Sequence, residues 1–330
     1  QADGLPLAGG ALTLAVPHPI ISRRTWLWRA ETGAVIEALS FVDGPQSEDG
    51  RDWLAELGPV QTNAIGAAFH ASAPDRPVLS WAGSRPFDAV EVEKLHRIAR
   101  FAAAPLAALA ARAALTALLE AYLGRRSAAR VQAGALRRGT GETIRAALLY
   151  ADLRGFTALS EATEPAAVIA ALDAWFDRVT GAVHAFGGEV LKFIGDGVLA
   201  IFPVTGTSAE ACTAALESIV AARAGMAHLD AARRTQGLPP LAFGAALHLG
   251  EILWGNIGAA DRLDFTAIGP AVNLVSRLEG LCRTLGRSVL ISGAVASELT
   301  APSRRPLVPL GEHALRGIAT PCAVFTLAEA

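Results

Sequence analysis

Cysteine is scarce in this chain of 330 residues: Cys212, Cys282 and Cys322 are the three present, an odd number with no CxxC spacing. Such a set gives neither a disulfide framework nor a paired-cysteine zinc site, and a reducing cytoplasm is the expected compartment. Charge of either sign is also sparse, at 18% of residues with a formal net charge of −2. The basic surface that nucleic-acid binding requires is therefore missing. A long uninterrupted apolar run is missing as well. The nearest approach, residues 101–119, is mostly alanine and contains Pro105 and Arg112, which reads as a soluble helix rather than a membrane span. Apolar residues nevertheless make up 52% of the sequence, and the length suits two domains that each bury a core. The chain starts at Gln1 rather than Met, so the presence of upstream residues, a membrane anchor included, stays open.

What is present is organised around residues 147–203. Asp152 follows the apolar run 146–151, and Asp196 sits in a Gly-Asp-Gly turn between the apolar runs 190–194 and 198–202. A strand end and a hairpin turn bring two such carboxylates to one sheet rim. Paired acids at a rim suit a hard divalent cation, because Mg²⁺ takes oxygen ligands and is held by one or two carboxylates plus substrate phosphates. Arg154-Gly155-Phe156-Thr157 then leads into a helical pattern, whose first backbone N–H groups would face the same rim as a phosphate cradle. Taken singly, Asp152 reads as a helix cap and Asp196 as a turn residue.

Three stretches, DLRGFT, LKFIGDGVLAIF and FTAIGPAVNLVSRLE, resemble in content and order the class III nucleotidyl cyclases, and the resemblance covers residues 143–330. It implies a ferredoxin-like catalytic domain of α/β or α+β class that converts ATP to 3′,5′-cyclic AMP and pyrophosphate. It also implies two Mg²⁺ or Mn²⁺ ions per active site, with Asp152, Leu153 and Asp196 as the metal positions. Asn273 and Arg277, four apart on one helical face, match the family's transition-state pair; Arg277 would neutralise phosphoryl oxygens and Asn273 orient the ribose. Lys192 and Thr266 match the base-reading positions, and a lysine donor suits adenine N1, where guanine carries an N–H. Phe156, Thr157 and, through HALRGIATP, Arg316 match substrate contacts. In the family the metal acids come from one subunit and the base-reading and Asn/Arg residues from its partner, so a homodimer with two composite sites is implied. The alternatives are a guanylate cyclase and a catalytically weak nucleotide-binding module. No GGDEF-like run of the related diguanylate cyclases is present.

Upstream, residues 1–87 read as a small mixed domain. Strands are expected at 20–29 and 34–42 around Glu31-Thr32-Gly33, weaker elements at 52–57 and 62–67, and another strand at 77–82. HPIISRRTWLWR and VLSWAGSRPFDAVEVEKL are similar to GAF-like sensor domains that precede some bacterial cyclases. Trp26, Trp28, Trp53 and Trp81 read as core, with a pocket lining as the alternative. His18 and His70 have no partners at metal spacing.

Residues 88–142 read as a helical linker. Leu95, Ile98, Ala102, Leu106, Leu109 and Ala113 recur at steps of three or four, followed by Leu115, Leu118, Leu119 and Tyr122, and Pro105 is expected to kink or divide the helix. The stripe suits a two-helix signalling coil in a dimer or a helix packed on its own domain. Arg125, Arg126, Arg130, Arg137 and Arg138 read as solvated linker surface.

In the catalytic region a strand at 145–151 precedes a helix at 165–186 with Val168, Ile169, Leu172, Phe176 and Val179 on one face. A hairpin, a helix at 208–229, a strand at 240–250 with a hairpin arm, a helix at 270–285 and strands at 288–291 and 323–327 complete a mixed sheet.

Overall fold

In the computed structural model, which describes residues 4–16, 18–42, 50–64, 77–135, 137–259, 261–299 and 305–328, the N-terminal strands form one antiparallel sheet. Its elements are β1 (Leu7–Ala15), β2 (Ile21–Arg29), β3 (Val35–Phe41), a short helix α1 (Arg51–Ala55), β4 (Val60–Ala64) and β5 (Val78–Gly83), in the order β3-β2-β1-β5-β4. The central strand β1 carries Gly9 and Gly10, which strand propensity counts against. Glycine is needed there: a Cβ on Gly9 would lie 2.5 Å from Leu57 Cδ1 and 2.8 Å from the Trp28 carbonyl oxygen. The core of this sheet is Ala11, Leu27, Leu54 and Ala82, with Trp53 and Leu57 packed against it. Trp28 and Trp81 both pair with Gly10, so they share the opposite face, where both are half-buried. His18 is a turn cap, its Nδ1 accepting from the backbone N–H of Ile20 and Ile21 at 3.1 and 3.2 Å. His70 and the end of the element expected at 62–67 lie outside the described residues.

Helix α2 (Ala89–Leu123) begins at a capping box: the Asp88 carboxylate accepts from the Glu91 N–H at 2.8 Å, and Glu91 accepts from the Asp88 N–H at 2.9 Å. Arg85 donates to both Glu91 oxygens, at 2.7 and 2.9 Å, and holds that carboxyl below the usual range. Of the two outcomes expected at Pro105, a kink or a division, α2 is not divided. A proline removes one backbone hydrogen bond, and the alanines on both sides have the helix propensity to carry the chain across the gap. By length and composition α2 is apolar enough to cross a membrane, and 6% of its most apolar stretch is buried.

The chain divides into units of residues 1–128 and 129–330. After α3 (Arg125–Gln132), the second unit runs β6 (Gly141–Leu153), α4 (Phe156–Ala162), α5 (Pro165–Ala185), β7 (Glu189–Ile194), β8 (Gly197–Pro203), α6 (Ser208–Thr235), β9 (Phe243–Gly258) and β10 (Leu263–Ile268). It closes with α7 (Pro270–Thr284), β11 (Val289–Ser292), α8 (Gly293–Ala296), β12 (Leu307–His313) and β13 (Cys322–Leu327). The sheet order is β12-β13-β11-β9-β6-β8-β7, with β10 paired to the far end of β9 as an arm. β11 runs parallel to β9 and the other pairs are antiparallel, so the sheet is mixed and the unit is α+β.

Side-chain alternation along the central strands sorts two cores. Ala147, Leu149 and Ala151 of β6 join Ala245 and Leu247 of β9 under α5 and α6, while Ala146 and Leu148 meet Ala246, Ile252 and Trp254 under α7. A strand covered on both faces has no polar stripe, which is why residues 146–151 read as a continuous apolar run. Of the face expected for α5, Val179 is buried, Leu172 and Phe176 pack against the core and Val168 is half-buried, while Ile169 is exposed; the buried stripe also takes in Ala171, Trp175, Ala182 and Val183. The burial of Trp175 rotates the helix toward that stripe. Arg130 is likewise more than solvated linker surface, being paired with Glu142 and stacked 4.5 Å above the Trp254 ring.

Candidate active site

The two acids meet. Asp152 is the penultimate residue of β6 and Asp196 lies in the turn joining β7 to β8, the strand paired with β6. That turn is fixed from three sides. Gly195 supplies a left-handed residue at φ 64°, Trp175 Nε1 donates to the Asp196 carbonyl at 2.8 Å, and Gly197 leaves room for Tyr150, whose hydroxyl would sit 2.6 Å from any Cβ.

Burial first, then the facing Asp196 carboxylate, push the Asp152 carboxyl up to about 7. A third acid contributes: Glu279 of α7 adds negative potential at Asp152, and burial raises its own pKa against the opposing charge of Arg154. The Tyr150 hydroxyl beneath is pushed up to about 12, chiefly by burial. Asp152 Oδ1 is buried without a hydrogen-bond partner.

Two carboxylates held together with an orphaned buried oxygen fit a divalent cation, which would supply the missing partner and relieve the repulsion. Among the described residues no group of three His, Cys, Asp or Glu side chains forms a complete metal cage. A pair of acids that leaves coordination positions for phosphate oxygens is the donor set Mg²⁺ takes. Leu153, next in β6, is buried. Beyond it, α4 opens after Gly155 in a left-handed conformation (φ 72°) with no side-chain cap, leaving Phe156 half-buried and Thr157 exposed at the helix start.

Lys192 of β7 is brought to the β10 arm by an ion pair with Asp264, two residues before Thr266. Asn273 and Arg277 share the solvent face of α7, opposite the buried Ala271, Val275, Leu278 and Cys282. Neither side chain makes a hydrogen bond or ion pair among the described residues, so the chain's own Asn/Arg pair does not engage its own acids. Arg316 is exposed in the turn between β12 and β13. Sequence reasoning missed Glu279 and Asp264. Glu279 had a readable signal, an acid adjoining the apolar stripe Val275, Leu278, Cys282 where a fully solvated residue was not required.

Residues 141–328 match the family model described as the adenylate and guanylate cyclase catalytic domain. The chain belongs to that family. An adenylate cyclase of Anabaena cylindrica is 33% identical over 168 residues, which are 50% of this chain and 32% of that protein, so the chain spans about a third of that relative's length. The adenylyl cyclase CyaB of P. aeruginosa superposes with a TM-score of 0.52 at 29% identity, over 58% of this chain and 97% of that one. A bacterial light-regulated adenylyl cyclase, at 17% identity, shares the fold over 97% of this chain and 93% of its own, with a TM-score of 0.58.

Proposed function

We propose that the second unit is an adenylate cyclase, making 3′,5′-cyclic AMP and pyrophosphate from ATP. The observation that carries this reading is the Asp152/Asp196 pair with its unpartnered buried oxygen. Asp152, Asp196 and Leu153 would hold two Mg²⁺ or Mn²⁺ ions, which when bound supply positive charge at the phosphates and the attacking hydroxyl. In the reaction the ribose 3′-oxygen bonds to the α-phosphorus, the bond to the pyrophosphate oxygen breaks, and the 3′-hydroxyl loses its proton.

The chain's own residues bind and orient. Lys192 donates to adenine N1 with Thr266 beside it, Phe156 and Thr157 border the phosphates at the start of α4, and Arg316 meets the triphosphate. Asn273 positions the ribose and Arg277 neutralises charge that grows on the phosphoryl oxygens. The outward projection of Asn273 and Arg277 supports a head-to-tail homodimer. In that dimer the acids of one protomer and Lys192, Thr266, Asn273 and Arg277 of the other complete each site. Residues 1–87 serve as a GAF-like regulatory domain and residues 88–142 as the helical linker to the catalytic domain at 143–330.

Incubating the purified chain with ATP or GTP, with Mg²⁺ and with Mn²⁺, and identifying products by mass spectrometry tests the reading. Cyclic AMP from ATP is expected; product from GTP alone, or none from either, overturns it.

A further inference from the structure

Asp152 of β6 is paired in register with Gly244 of β9, and directly opposed residues of an antiparallel pair hold their Cβ positions about 5 Å apart. Gly244 has no side chain to fill its half of that pair. Glu279 of α7 fills it instead: a Cβ on Gly244 would lie 2.2 Å from Glu279 Oε1, with Cys282 Cβ 3.4 Å away. The Glu279 carboxyl group therefore stands beside Asp152 in the place of a β9 side chain. It makes no hydrogen bond or ion pair among the described residues, so its oxygens keep open acceptor capacity. With 3.6 residues per turn, Glu279 leaves α7 roughly 200° around from Arg277. Asn273 and Arg277 are exposed, whereas Glu279 is half-buried against β9. One helix thus turns the Asn/Arg pair outward and a carboxylate inward, toward the acids of its own chain.

We propose that Glu279 is a positioning residue of the cation site, adding a third carboxylate beside the Asp152/Asp196 pair of its own protomer. The assignment rests on the reading of that pair as the cation site. A third negative charge next to the pair strengthens its attraction for a divalent cation. Glu279 does this without completing a cage of three acids among the described residues, and its oxygens can accept from the waters that a bound Mg²⁺ keeps. In the proposed homodimer α7 then serves two sites at once, Asn273 and Arg277 in the partner's and Glu279 in its own.

The test measures binding of Mn²⁺ alone to the full chain by electron paramagnetic resonance, with thermal melts confirming that each variant folds. Glu279→Gln is expected to weaken binding by roughly threefold to tenfold, the effect of one charge at a partly exposed site. Gly244→Ala touches no acid, yet its Cβ displaces the Glu279 carboxyl group, the flexible end of a long side chain, and should weaken binding to a similar extent. The double variant should bind no more weakly than either single one, because both changes remove the same contribution. Unchanged Mn²⁺ affinity in Glu279→Gln, or additive losses in the double variant, overturns the assignment. Asp196→Asn separates it from the reading beneath: if that variant also binds Mn²⁺ as wild type does, the cation site itself falls. The protomer is then fixed by mixing Asp152→Ala with Arg277→Ala chains, whose shared whole site takes its acids from the Arg277→Ala protomer. Glu279→Gln added to that protomer should raise the Mn²⁺ concentration needed for half-maximal cyclic AMP formation, and added to the Asp152→Ala protomer should leave it where it was. The reverse pattern would place the effect of Glu279 in the partner's site and overturn the proposal.

Discussion

The two units bury their apolar residues to very different extents. In the second, the middle strands β6 and β9 are covered on both faces, and residues such as Leu148, Ile201 and Leu247 are completely inaccessible. In the first, the core cluster among the described residues is Ala11, Leu27, Leu54 and Ala82, with Leu14 and Leu95 also inaccessible, and the edge strand β3 leaves Val35 and Ile36 62% and 56% exposed. The contrast explains where the acids can be. Facing carboxylates repel, and a rim holds them together only if the sheet beneath is stiff enough not to relax. The doubly covered sheet provides that stiffness, and the thinly packed one carries no such pair among its described residues.

The largest effect expected from this contrast separates activity from stability. Asp196→Asn should reduce turnover by at least roughly 1,000-fold, about 4 kcal/mol of transition-state stabilisation, while the melting temperature shifts by only a few degrees, because a rim acid packs against little. Near-normal turnover in this variant would detach the rim from the chemistry.

Next, Trp175→Ala should cost the second unit about 3–5 kcal/mol, since it empties a fully buried site and removes the indole bond to the Asp196 turn. Trp28→Ala, at a half-buried position of the first unit, should cost less than about 2 kcal/mol. Denaturant titrations of the two variants give the comparison, and equal costs would mean that the first unit is as well packed as the second.

A smaller effect concerns pH. Burial lowers His248 to about 4, its Nδ1 lying 2.9 Å from Ser292 Oγ. Because the folded value lies below the unfolded value of about 6.5, the unfolded chain takes the proton first as pH falls. Stability from this group is therefore intact above about pH 6.5 and declines until about pH 4, by roughly 3 kcal/mol in total. His248→Gln should flatten that part of the stability curve; an unchanged slope would show that other groups set it.

Much of the second unit was legible because its patterns are local. The run 146–151 announces a strand buried on both faces, and Gly195-Asp196-Gly197 announces a hairpin turn because left-handed backbone is needed there. What stayed hidden depends on contacts between distant segments. β1 has too much glycine to look like a central strand until Leu57 and Trp28 are seen against Gly9. The rotation of α5 follows from where Trp175 finds a cavity, which periodicity alone does not give. Lys192 was singled out by motif position, yet the Lys192–Asp264 pair joins residues 72 apart and no spacing rule reaches it.

The central claim is that one protomer's acids work with its partner's Asn273 and Arg277. It is tested most directly by mixing two inactive variants, Asp152→Ala and Arg277→Ala, in equal amounts and measuring cyclic AMP formed from ATP. Each alone should be inactive. With random exchange of independent protomers, half the dimers are mixed and half of the sites in those dimers are whole, so activity should return to roughly a quarter of wild type. No recovery after subunit exchange has been verified by a tagged-protomer pull-down would contradict the account, because each chain would then build its site alone.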